Sequence, residues 1–183
     1  TFSNTSIFKI FKKNKKILLF FIEKQIISID QNIVDLMFNE ETIFFKYRFY
    51  FYSEIKSFIN EQTKKSIENE LIKEDHNILA NFEEKRQIGE NDSYICKIIR
   101  KDLIDEFIIY INQTNLSIHS TKIKKSVFET NSFLIKRDPT LIEYAAFFGS
   151  IQIFRFLLLN NVELKQTLWL YAIHGKNAEI IHL

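Results

Sequence analysis

Glycine and proline are scarce, with three and one among 183 residues. That excludes collagen, flexible linkers and a turn-rich β-sandwich, each of which needs many residues at special backbone angles. A single cysteine, Cys96, excludes a disulfide framework and any Cys-based zinc site within the chain. No apolar run approaches the ~18 residues of a membrane span. The most signal-like stretch is Lys12–Lys16 followed by the six apolar residues Ile17–Ile22. It is too short for a signal core, and no small-residue cleavage site follows. The expected location is therefore intracellular and cytoplasmic. Neither sign of charge is in excess: the formal net charge is +2, which gives no net pull toward nucleic acid or anionic membrane. Three isolated glycines cannot form a phosphate-binding loop, and no nucleophile-elbow pattern occurs.

What is present is apolar and aromatic. Hydrophobic residues make up 46% of the chain, with 19 Phe and 31 Ile. From Phe2 to about Glu74 they recur at three- and four-residue spacing, as in Ile7, Ile10, Phe11 and Leu18, Phe21, Ile22. The spacing predicts several short helices, with Lys12–Lys16 as a solvated turn between two of them. Residues 61–92 are the most polar part, expected to be a solvated helix face or a connection. Asn91-Asp-Ser93 offers N-caps for a helix carrying Tyr94, Ile95, Ile98 and Ile99. After the break at Arg100–Asp102 a second helix carries Ile104, Phe107, Ile108 and Ile111. So short a break makes the two helices antiparallel. Residues 112–139 read as a long polar connection. The chain begins without Met and stops at Leu183 inside an amphipathic pattern, which reads as a fragment of a longer protein whose core continues.

Four of the five alanines fall in the last 39 residues, and this shift in composition prompts a self-comparison. Sliding 140–156 onto 167–183, an offset of 27, aligns Thr140 with Thr167, Leu141 with Leu168, Tyr144 with Tyr171, Ala145 with Ala172 and Ile153 with Ile180. Chance would give about one identity, so this is an internal repeat. Each feature of the unit has a physical reading. Thr140 with Glu143 forms a capping box. Ala145 and Ala146 let a neighbouring helix approach closely. Gly149 can take the left-handed cap conformation. Ser150 then caps a second helix whose buried stripe is Ile153, Phe154, Leu157 and Leu158. Neither helix pair can bury its apolar face alone, so neighbours must stack on it.

Thr140-Leu-Ile-Glu-Tyr-Ala-Ala-Phe-Phe-Gly149, followed by Ser150–Asn161, resembles an ankyrin repeat. Thr140, Ala145, Ala146, Gly149, Leu157 and Leu158 match that pattern directly. Leu141 replaces its usual Pro and Glu143 its usual His, Gly175 lies one place early, and the period of 27 is short of the usual ~33. The shortfall falls in Asn160–Gln166, where the binding finger of many ankyrin proteins would lie. The phrase Gly89–Cys96, taken together with Tyr144–Gly149, is similar to a narrower group. These are the large, divergent ankyrin-repeat proteins of parasitic protists of the trichomonad type, which carry an N-terminal domain of unknown function. In that light Ile98–Asn112 is a degraded repeat with Asp102 at the position of Gly149. The resemblance implies a helical scaffold for protein–protein contact and names no partner.

Candidate chemistry is thin. Phe44–Tyr52 interleaves aromatics with Lys46 and Arg48. As a nucleic-acid site its rings would stack on bases while the cations met phosphates. Partly exposed, Phe45, Tyr47, Arg48 and Tyr50 would instead contact another protein; otherwise the segment is core. His174, Glu179 and His182 invite a metal reading, but no further ligand stands at convincing spacing. Glu74-Asp75-His76 qualifies by residue type alone, and Cys96 sits on an apolar stripe.

These observations predict an all-α chain of stacked helical hairpins, an ankyrin-type α-solenoid degenerate toward the N-terminus. Three regions are expected: an N-terminal helical region 1–90, a degenerate hairpin with a long connection 91–137, and repeats over 138–183. Thr140, Glu143, Ala145, Ala146, Gly149, Leu157, Leu158, Thr167, Tyr171 and Ala172 define the repeats. The expected activity is non-enzymatic, with no cofactor or metal and with protein partners. A nucleic-acid-binding array using 44–52 is the alternative.

Overall fold

The computed structural model describes residues 2–39 and 47–182, and among these every regular element is a helix. The chain divides into two compact units. The first holds residues up to Glu90 together with Val127–Ser132; the second holds Asn91–Ser126 and the chain from Phe133 onward. Residues 91–137 are therefore not a region apart. Most of them join the C-terminal helices in one unit, and six residues of the connection belong to the other.

Unit 1 contains α1 (Asn4–Phe11), α2 (Lys15–Glu23), α3 (Gln31–Asn39), α4 (Tyr47–Tyr50), α5 (Tyr52–Ile55), α6 (Glu61–Glu74) and α7 (Phe82–Ile88). Small polar residues start several of these helices. Ser3, Asn14 and Asn60 each accept a hydrogen bond from a backbone N–H of the first turn, satisfying a donor the helix cannot. The polar α6 hides only Ile67 and Leu71, four residues apart on one face. Phe8, Leu18, Ile33, Met37, Tyr50, Phe51 and Ile55 form the core of this unit.

The segment 127–132 enters this core from far away in sequence. Phe128 is fully buried, with its ring 5.3 Å from that of Phe82. Thr130 donates to Gly89 O from both its backbone N–H, at 3.0 Å, and its hydroxyl, at 2.7 Å. The Lys15 ammonium donates to Val127 O at 2.9 Å and Glu129 O at 3.4 Å, and lies 5.0 Å from the Tyr50 ring centroid. Lys12–Lys16 is thus not wholly a solvated turn: Lys15 opens α2 and is 2% exposed. Backbone carbonyls and an aromatic face replace the water this cation loses.

Unit 2 is built from three helical hairpins: α8 (Tyr94–Arg100) with α9 (Ile104–Thr114), α11 (Leu141–Phe148) with α12 (Ile151–Leu159), and α13 (Leu168–Gly175) with α14 (Ala178–His182). A single turn of helix, α10 (Ser132–Ile135), precedes the second hairpin. First helices pack in one row, α8 on α11 on α13, and second helices in another, α9 on α12 on α14. Tyr94, expected on the buried face of α8, lies outside against Tyr110; Cys96, Ile98 and Ile99 do the burying.

The turn between helices repeats in geometry even where the sequence does not. Asp102, Gly149 and Lys176 hold corresponding places and all adopt positive φ, at 52°, 69° and 52°. In the first two hairpins the chain reverses through the same pair of bonds. Leu103 N–H reaches Ile98 O at 3.2 Å and Ser150 N–H reaches Ala145 O at 2.9 Å. Inside these wider bonds, Asp102 N–H reaches Ile99 O at 2.9 Å and Gly149 N–H reaches Ala146 O at 3.3 Å. This is the Schellman closure of a helix C-terminus. Asn161 ends α12 with the same pair of bonds at φ 56°, and Asn115 ends α9 at φ 50° with its own N–H and that of Leu116 both reaching Ile111 O.

One assignment differs from expectation. Ser150 does not cap α12; its hydroxyl donates back to Ile99 O of the preceding hairpin, at 2.5 Å. The cap comes instead from Asp102, whose carboxylate accepts from Gln152 N–H and Ile153 N–H at 3.0 Å each. Gly175 is not the left-handed residue, a role that falls to Lys176. It is glycine because α13 crosses α11 there: a Cβ on Gly175 would stand 2.1 Å from Ala146 O.

Asp102 thus serves two ends at once, and Asp102→Ala should cost about 2 kcal/mol in urea unfolding, from a lost cap and a strained backbone. Asp102→Asn keeps an acceptor and tolerates the left-handed region, so its loss should be smaller. Equal losses would mean that the cap contributes nothing.

Candidate functional site

The described part of the segment singled out for aromatic contact, residues 47–52, is largely internal. Tyr47 and Tyr50 are buried, at 4% and 0% exposure, so neither ring is available to a partner. Tyr47 donates its hydroxyl to Lys12 O, and Tyr50 donates to Arg86 O at 3.3 Å. Burial pushes both phenols well above the usual tyrosine range. The Arg48 guanidinium lies 5.0 Å from the Phe49 ring centroid and 3.9 Å from the Glu70 carboxylate. Phe45 and Lys46 lie outside the described residues. The rings of Tyr47, Phe49, Tyr50, Phe51 and Tyr52 are inside because they join Phe8, Leu18, Ile33 and Met37 in one apolar core.

Unit 1 also carries an ion cluster around the buried Arg86. Arg86 donates to Glu54 at 2.6 Å and to Glu83 at 2.5 Å, and Ser53 donates to Glu83. An open cleft of about 420 Å³ beside it is lined by Tyr52, Ser53, Glu68, Leu79, Phe82 and Glu83. Tyr52 donates to Glu68 at 2.5 Å, so the hydroxyls and carboxylates of the cleft direct hydrogen bonds at one another.

The candidate residues of unit 2 come together. Glu143, 5% exposed, accepts from Thr140 N–H at 2.8 Å and from the Thr140 hydroxyl at 3.1 Å through one oxygen. Its other oxygen accepts from the Thr167 hydroxyl at 2.5 Å. One carboxylate therefore closes the capping box of its own helix and ties it to the next hairpin. Asn177, at the place equivalent to Ser150, also reaches back to the preceding hairpin, donating to Gly149 O at 3.2 Å, three residues beyond the counterpart of Ile99. Ala145, Ala146, Leu157, Tyr171 and Ala172 are buried where these hairpins meet, and Leu158 is half-buried. Burial, with Glu143 nearby, pushes the Tyr171 phenol up to about 12.

A half-exposed band of aromatic and cationic side chains runs along the row of first helices. Arg137 lies over the Phe133 ring, 3.8 Å from its centroid. Phe133 stacks on Phe147 at 5.6 Å with planes 15° apart, and His174 sits 4.3 Å from Phe133. Phe147 meets Phe148 edge to face at 5.0 Å, and Arg100 lies 5.8 Å from Phe148. Arg100 is itself held by Asn91 O at 2.8 Å and the Tyr144 hydroxyl at 3.0 Å. Three phenylalanines of α10 and α11 thus connect Arg137 to Arg100 of α8, with His174 of α13 packed on them. Reading the sequence missed this band. Its local signals are the Phe-Phe pair before Gly149, set where the helix has already buried its alanines, and Phe133 standing alone in a polar connection.

No family model, curated protein or solved structure matches this chain. Among the described residues no three His, Cys, Asp or Glu side chains converge to hold a metal ion. His174 packs against Phe133 and Phe147, and Glu179 pairs with Arg155 on α12. No helix among those residues is long and apolar enough to cross a membrane.

Proposed function

We propose that the chain is a non-enzymatic helical-repeat scaffold of ankyrin type that makes protein–protein contacts through the first-helix row of unit 2. The observation that carries this reading is the recurrence of one bonding scheme from hairpin to hairpin. Turn residues with positive φ stand at corresponding places, and the residue after two of them, Ser150 and Asn177, donates to a carbonyl of the preceding hairpin. A polypeptide that adds like units in this way builds extended surface rather than a closed pocket. The end of the row supports the same reading. Trp169, Leu170 and Ile173 on α13 are 60%, 44% and 61% exposed, whereas Ile142, Glu143 and Ala146, their equivalents on α11, are buried under α13. The N-terminal unit would then be a helical domain set before the repeats. The nucleic-acid alternative needed the rings of 44–52, and the described ones face inward.

The test is affinity capture with the wild-type chain beside Phe147→Ala, after nuclease treatment. A protein retained by the wild type and lost by the variant, at an unchanged melting temperature, is the expected result. Capture that vanishes with nuclease, or that is identical for both chains, would sink the reading.

A further inference from the structure

Granted that unit 2 is a contact surface, its charges say what kind of segment it takes. We propose that the band from Arg137 through Phe133, Phe147 and Phe148 to Arg100 binds an extended acidic peptide, an inference that rests on the protein-contact reading. Helices α8, α11 and α13 carry one carboxylate between them, Glu143, and it is buried and bonded on both oxygens. The exposed basic side chains on or capping these helices are Lys97, Lys101, His174 and Lys176. The second-helix row carries more acid, with Asp105, Glu106 and Glu179 exposed beside one exposed arginine, Arg155, which pairs with Glu179. A negative segment is thus drawn to one row and turned away from the other.

Arg137 supports the choice of ligand. Its hydrogen bond among the described residues goes to Phe133 O at 3.4 Å, and it pairs with no carboxylate there. A guanidinium held over a ring still has N–H groups with which it can bind a carboxylate. Between the arginines the half-exposed phenylalanines offer apolar contact, over a span that roughly six residues of extended chain would cover. Nucleic acid fits less well. Base stacking needs open ring faces, and Phe133 has Arg137 over it with Phe147 and His174 packed around it.

The experiment is fluorescence anisotropy with the full chain and four labelled probes: an alternating Glu-Leu peptide, the same peptide with Gln for Glu, the same with Lys for Glu, and oligouridylate RNA. The Glu peptide should bind, weaken as salt rises, and bind about tenfold more tightly than the Gln peptide at low salt. Arg137→Gln, an edge substitution that removes no buried bulk, should weaken it by about three- to fivefold. Equal binding of the Glu and Gln peptides overturns the acidic preference and leaves the protein-contact reading intact. Binding of RNA with no peptide bound overturns both. Failure of the Glu peptide alone, or its indifference to Arg137→Gln, overturns the inference.

Discussion

Replacing Gly175 by alanine is expected to undo the docking of the third hairpin. The added Cβ would sit 2.1 Å from Ala146 O and 3.1 Å from Phe147 O, both of them backbone atoms of α11. Neither can swing aside as a side chain would, so α13 must lift off the helix it packs on. Overpacking of a rigid contact costs about 1–3 kcal/mol, occasionally more, and a backbone contact belongs at the upper end. Gly175→Val should leave the hairpin undocked. The informative control is Gly149→Ala. Gly149 has the unusual backbone, at φ 69°, yet its Cβ would come no closer than 3.4 Å to Asn177 Cβ. That substitution pays about 1 kcal/mol of left-handed strain and little else. Urea unfolding should therefore rank Gly175→Ala as the more damaging, with hydrogen exchange accelerated over residues 168–182. The reverse order would mean that turn conformation, rather than the approach of two helices, sets the stability of the repeat.

Phe128→Ala should be as damaging, but in the other unit. Phe128 is fully buried against Phe82, and truncating such a ring costs about 3–5 kcal/mol. In sequence Phe128 lies between α9 and α11, both of unit 2. In space it fills the core made by α1 to α7. Native-state hydrogen exchange should lose protection in α2, α4 and α7 and keep it in α8 and α9. Loss centred on α8 and α9 instead would refute the division of the chain. For the same reason, a fragment ending at Glu90 should be markedly less stable than the chain, since it lacks the plug and both carbonyls that hold Lys15.

How much of this could be read in the sequence depends on how local its cause is. The capping box needs only Thr140 and Glu143 three residues apart, and it is present. Gly149 needs only its own backbone, and it takes the left-handed turn. Asp102 was matched to Gly149 by register alone, and its φ agrees. What escaped was decided by residues far along the chain. Lys15 looked like part of a basic turn, but its ammonium is held by carbonyls 112 and 114 positions away. Ser150 looked like a cap because it precedes a helix; a carbonyl of the previous hairpin claims it, and Asp102 supplies the cap across 50 residues. Gly175 lies one place early for the turn, and its lack of a side chain answers to the helix beside it. The aromatic segment 44–52 had the composition of a site, and only burial separates a ring that binds from a ring that fills. The band of half-exposed phenylalanines has no periodicity to give it away, because Phe133 comes from α10 and the adjacent Phe147 and Phe148 from α11.

The crossing of Val127–Ser132 into the first unit also bears on how the chain is made. During synthesis from the N-terminus, α1 to α7 emerge together but cannot close their core until Phe128 has followed them out. By then α8 and α9 have already emerged as a hairpin. The two units are therefore interleaved in time: the earlier one waits on a segment delivered by the later one, and its exposed apolar surface must be tolerated meanwhile.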